Sequence, residues 1–159
     1  MRLCICIYPT RLAHICQAIY NVSGMMRKAK PFAVELLFRA LADPTRLRLL
    51  NLIADREICV CYFVEILGIS QPKISRHLAY LRHAGIAAAR RQGRWMHYRL
   101  VVPQDAVASS ILKETLKHLR ERPHLQRDFA RLDSACCKPG EFELLQNAPQ
   151  PSLASQELR

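Results

Sequence analysis

The sequence predicts a mainly α-helical domain carrying one small β-hairpin. Three observations point there. Two short apolar-periodic segments meet at Gly68, with Ser70 and Pro72 just beyond it. Two strand-like runs flank Gln92-Gly93-Arg94. Positive charge is gathered on those same elements, and together they make a winged helix-turn-helix.

The elements follow in order. After a basic lead over residues 1–31, Val34, Leu37, Phe38 and Leu41 recur at helical spacing. Asp43-Pro44 then supplies an N-cap residue and a proline for the first helical position of TRLRLLNLIA. A short helix is expected over about 60–67, ending at Gly68. Ser70 is placed to cap the next one, whose buried side is Ile74, Leu78 and Leu81 and which Gly85 ends. IAAARRQ and RWMHYRLV form the hairpin. Residues 105–122 return to helix, with Val107, Ile111, Leu112, Leu116 and Leu119 as an apolar stripe. Pro123 interrupts it, and a further short helix is expected to about Leu132. The division is therefore a 1–31 basic arm or mis-assigned extension, a 32–132 winged helix-turn-helix domain for DNA binding and dimerisation, and a 133–159 flexible tail. The tail is assigned from its Pro, Gln and Ser content.

Charge identifies the class of partner. The chain has 159 residues and a formal charge of +11, so an anionic partner is expected. No acidic residue stands between Glu65 and Asp105, while Lys73, Arg76, Arg82, Arg90, Arg91, Arg94 and Arg99 all lie there. That pattern fits the phosphates of double-stranded DNA. In the helix after Ser70, Gln71 and Arg76 are suited to bidentate base contacts, with Lys73, Ser75 and His77 beside them. Arg90, Arg91 and Arg94 in the hairpin would lie over the backbone or in the minor groove. A membrane is not the expected partner. The opening MRLCICIYPTRLAHICQAIY is broken by Pro9, Arg11 and His14, and is too short to span.

Seven cysteines are many for this length, and the count is odd. That argues against a secreted disulfide framework and for thiols kept reduced in a cytoplasm, where clustered cysteines serve metals or redox chemistry. Cys59-Val60-Cys61 is the notable pair. On a regular helix, residues two apart point to nearly opposite sides. Holding one ion is therefore expected to unwind or bend the first turn of the 60–67 helix. Buried packing and a redox pair are the competing roles, although a disulfide ring this small would be strained. A thiol enzyme is disfavoured, because no His/Asn or oxyanion-forming constellation accompanies the cysteines.

The run FRALADPTRLRLLNLI…EICVCYFVEILGISQPKISRHLAYLRHAGIAAARRQGRWMHYRL resembles the ArsR/SmtB family of metal-responsive repressors over about residues 32–102. The helix start DPTR, the CVC pair, SQPKISRHL and the wing WMHYR stand in family order. The resemblance implies a homodimeric winged-helix repressor released from its operator by a metal or metalloid. ICVCYF is similar to the arsenic-responsive branch's E-L-C-V-C-D-L-C, with Cys59 and Cys61 at its first two cysteines and Val64 at the third. The inducer implied is As(III) or Sb(III), each of which prefers three thiolates. The missing one is expected from Cys136 or Cys137, the adjacent pair near the end of the chain. Cys4, Cys6 and Cys16 compete for that role. An N-terminal cysteine arm would instead resemble the Cd(II)- or Pb(II)-sensing branch.

Overall fold

The computed structural model describes residues 32–153. The basic lead, with Cys4, Cys6 and Cys16, and the last six residues lie outside the described residues. Helix α1 spans Val34–Leu41 and α2 spans Pro44–Ile53. The Asp43 side chain accepts from the Arg46 N–H at 2.9 Å, and Pro44 opens the helix where no N–H is needed. Strand β1, Arg56–Cys59, leads directly into α3, Val60–Leu67. Gly68 ends α3 in the left-handed region at φ 64°, and its N–H bonds to the Val64 carbonyl.

Helix α4 runs Gln71–His83. The Ser70 side chain makes no capping bond, a departure from the sequence reading; its carbonyl instead receives the Lys73 and Ile74 N–H groups. Strands β2, Ala87–Gln92, and β3, Trp95–Leu100, pair antiparallel from Ala87–Leu100 to Gln92–Trp95. Gly93 begins the two-residue turn at φ 58°, where a residue without Cβ is needed. Helices α5, Ala106–Arg120, and α6, Pro123–Cys137, follow, the first capped by Asp105.

Strand β1 is an addition to the elements expected from the sequence. It pairs antiparallel with β3 through Ile58–Tyr98 and Cys59–His97, extending the wing to the order β2-β3-β1. Ile58 and Cys59 at the end of β1 are both wholly buried in the core, while Arg56 and Glu57 at its start are half-buried. Phe63 of α3 meets Tyr98 edge-on at 6.3 Å, so α3 and the wing share one apolar seam.

The core joins Leu37, Leu50, Phe63, Ile74, Leu78, Leu81, Leu112 and Leu132, all of them buried. Each such side chain contributes about 1.5–3 kcal/mol by leaving water. Val107 departs from the expected stripe: it is 65% exposed, and Ala108 takes the inward position. The expected 133–159 tail also differs. Helix α6 continues through Cys137, and the chain then makes two 3₁₀ turns, Pro139–Glu141 and Glu143–Leu145. It ends in β4, Ser152–Leu153, paired to Arg56 and Glu57. Leu145 is 1% exposed, and Phe142 and Ala148 pack partly buried against the same core, so apolar side chains anchor a segment whose composition reads as unstructured.

Helix α6 is also held by charge. Arg48 of α2 grips Asp128 through two 2.7 Å bonds. Arg131 donates to the Glu65 carbonyl of α3 at 3.2 Å. No helix among the described residues is long and apolar enough to cross a membrane.

Candidate functional site

Two groups of predicted residues occupy different parts of the domain. The first is the exposed side of α4 and the wing. Ile74, Leu78 and Leu81 fix one side of α4 into the core, which leaves Gln71, Lys73 and Arg76 exposed and Ser75 half-buried. His77 sits elsewhere. It turns inward, with Nδ1 3.4 Å from Asp43 Oδ1 and its side chain 21% exposed.

The wing arginines divide in the same way. Arg91 and Arg94 are exposed; Arg91 Nε donates to the Gly93 carbonyl at 3.0 Å, and Arg94 lies over the Trp95 ring at 4.7 Å. Arg90 is tied to Glu57 at 2.7 Å and to Gln92 at 3.2 Å. Its charge is therefore matched within the protein. The acid-free stretch of sequence hides this, because Glu57 and Asp43 both precede it.

The second group is the thiol pair. Cys59 ends β1 in extended conformation, φ −69° and ψ 145°, and stands as the N-cap residue of α3. Cys61 lies in the first helical turn. Only one of the two is helical, so the side chains are not sent apart: the Cys61 thiol donates to Cys59 Sγ at 2.7 Å, and both cysteines are free. The expected unwinding of α3 loses its premise, since the strand-to-helix junction already brings the sulfurs together.

Position also sets their acidity. The bond from the Cys61 thiol, aided by backbone N–H groups of Cys61, Val60 and Met96 and opposed by burial, lowers the Cys59 thiol to about 7. The same bond, with burial, pushes Cys61 far above the ordinary thiol value. The pair therefore gives up its first proton more readily than an ordinary thiol and holds its second more tightly. The sign is testable: thiolate ultraviolet absorbance should rise as pH increases through about 7. Removing the donor with C61A should move that step upward, toward about 8.5. A step that stays in place would show that Cys61 does not hold the charge.

Cys136 is half-buried on α6 and Cys137 is exposed. Cys136 faces Arg56, whose guanidinium lies 4.0 Å from its Sγ, and burial raises its thiol pKa. Tyr62, next to Cys61, is wholly buried, and burial pushes its phenol up to about 12, with Cys136, Cys61 and Cys59 adding to the shift. Cys136 thus shares an electrostatic influence on Tyr62 with the pair. Among the described residues, however, no three His, Cys, Asp or Glu side chains are gathered to hold a metal. His97, opposite Cys59 in the sheet, is 3% exposed, and its Nε2 lacks a hydrogen-bond partner.

Residues 43–89 match the family model described as bacterial regulatory protein, arsR family. The chain is 51% identical over 82 residues to the arsenic resistance transcriptional regulator ArsR1 of Pseudomonas putida, covering 48% of this chain and 64% of that protein. It is 44% identical over 97 residues to the arsenical resistance operon repressor of Escherichia coli, covering 60% of this chain and 83% of that protein. Among solved structures, HlyU from Vibrio cholerae is similar at TM-score 0.47 and 28% identity, covering 58% of this chain and 97% of that one. With the matched model spanning the helix-turn-helix and most of the Escherichia coli repressor aligned, the chain belongs to the arsR family of bacterial regulatory proteins.

Proposed function

We propose that the protein is a cytoplasmic transcriptional repressor that binds operator DNA through α4 and the wing and releases it when As(III) or Sb(III) bonds Cys59 and Cys61. One observation carries the reading: two free thiols 2.7 Å apart stand at the start of α3, the helix joined to α4 through the Gly68 turn. The names of the Pseudomonas putida and Escherichia coli relatives support arsenic as the inducer.

The donor set fits a soft trivalent ion. Thiolate sulfur is its preferred ligand, and the lowered pKa of Cys59 favours the form that binds. Cys136 is favoured over Cys137 as a third sulfur, because it is half-buried and acts electrostatically on Tyr62 as Cys59 and Cys61 do, whereas Cys137 faces solvent. A change in the first turn of α3 would reach α4 through their shared packing around Phe63, Ile66, Ile74 and Leu78. A second copy of the chain is the partner that family membership suggests. Phe38 and Val107, 55% and 65% exposed, are apolar side chains such a contact would cover.

The test is operator release, titrated separately with arsenite, antimonite, cadmium, lead, zinc and peroxide. Arsenite and antimonite should act at the lowest concentrations, and C136S should require more arsenite than the wild type. Release led by zinc or peroxide would sink the proposed inducer. An unaltered C136S titration would remove Cys136 from the site.

A further inference from the structure

Arg46 belongs to neither group, yet it joins three helices. It lies in the first turn of α2 with its side chain 14% exposed. Its Nε donates to the Ala40 carbonyl at 2.8 Å and one Nη to the Arg39 carbonyl at 2.7 Å. Both carbonyls are in the last turn of α1, where a helix leaves carbonyls without partners and a cation is favoured. The other Nη is 3.8 Å from Asp43 Oδ2. The guanidinium also lies over the ring of Tyr80 in α4, 4.4 Å from its centroid. Asp43 reaches α4 a second time, through His77. Tyr80 and His77 are three residues apart, on one side of that helix.

We infer that Arg46, together with Asp43, is a positioning residue for DNA recognition: a clamp that fixes α4 against the α1–α2 corner and sets the angle at which Gln71 and Arg76 are presented. The inference rests on α4 being the reading helix. Base-edge hydrogen bonds need donors and acceptors placed within tenths of an ångström and well aligned, whereas phosphate contacts tolerate more slack. A loosened clamp should therefore cost specific binding and leave non-specific binding alone. Arginine suits the hub because its planar fork bonds two carbonyls and stacks on an aromatic face at once, which lysine does not reproduce.

The experiment compares operator DNA with a random duplex of equal length for R46K, Y80L, Y80F, the double variant R46K/Y80L and, as a control on the reading itself, R76A. R46K and Y80L should each lose roughly tenfold in operator affinity, with random-duplex affinity and salt dependence unchanged. Y80F keeps the ring and should bind as the wild type does. The double variant should be no weaker than the weaker single one, because both changes break the same contact. Equal losses on operator and random DNA, additive losses in the double variant, or wild-type behaviour of R46K would each overturn the clamp. If Y80L fails to fold, as a thermal melt would report, the contrast between R46K and Y80F still decides. If R76A also discriminates as well as the wild type, the reading helix is misassigned and the clamp falls with it. If R76A loses discrimination while R46K does not, only the clamp fails.

Discussion

C59S and C61S should each bind operator DNA as tightly as the wild type and fail to release it at arsenite concentrations that empty the wild-type complex. The expected split follows from location. Neither cysteine lies on the exposed side of α4 or the wing, where the DNA contacts are proposed, so DNA affinity has no reason to change. The fold should tolerate both variants. Position 59 is the N-cap of α3, where serine is among the favoured residues. At position 61 a serine hydroxyl still donates toward Cys59. The inducer, by contrast, loses one of two adjacent sulfurs. Metal–thiolate sites draw on the order of 10 kcal/mol or more from a few such bonds, so losing one costs at least about 3 kcal/mol, roughly a hundredfold in affinity. Moving a complex from mostly bound to mostly released takes roughly 5 kcal/mol of differential binding, which the weakened site no longer supplies. Operator release followed by fluorescence anisotropy measures both halves. Release of either variant at the wild-type arsenite concentration would place the inducer elsewhere in the protein.

Features written in local residue chemistry are legible in the sequence. Gly68, Pro72 and Gly85 bracket α4, its apolar spacing names the buried side, and Gly93 marks the wing turn, because glycine and proline act on the backbone at the position they occupy. Features that depend on distant partners are not. Strand β1 is only four residues long and exists through pairing with residues 97–98 and 152–153. The segment after Cys137 reads as unstructured by composition, and among its described residues Leu145 alone is buried. The thiol pair is legible as chemistry but not as geometry. Treating both cysteines as helical separates their side chains, whereas the strand that ends at Cys59 turns its sulfur toward Cys61. His77 and Arg90 show the same limit. Charge type alone assigns each to DNA, yet each meets a carboxylate that lies in another part of the chain.

That last distinction yields a graded result across the basic residues. R76A should lose the most operator affinity, roughly 1–3 kcal/mol if its guanidinium makes a bidentate base contact, and should relax discrimination between operator and random DNA. Arg76 is free to do so: its side chain makes one long bond, 3.4 Å, to the Pro72 carbonyl one turn earlier on an exposed surface. R91A and R94A should weaken operator and random duplexes alike and flatten the dependence on salt, since each would remove one phosphate contact. R90A should do the least to DNA, because the Arg90 guanidinium is already matched by Glu57 at 2.7 Å. The loss it does cause should appear in the wing, which is joined to β1 at that pair. Affinity measured over a salt series for the four variants separates these behaviours. A base contact lowers operator affinity at every salt concentration, whereas a phosphate contact changes the slope. If R90A proves as costly as R91A, with the same change in slope, the Glu57 pair opens on binding and Arg90 joins the DNA-contacting set. If R76A and R91A weaken operator and random DNA equally, α4 is not reading bases and discrimination comes from elsewhere in the domain.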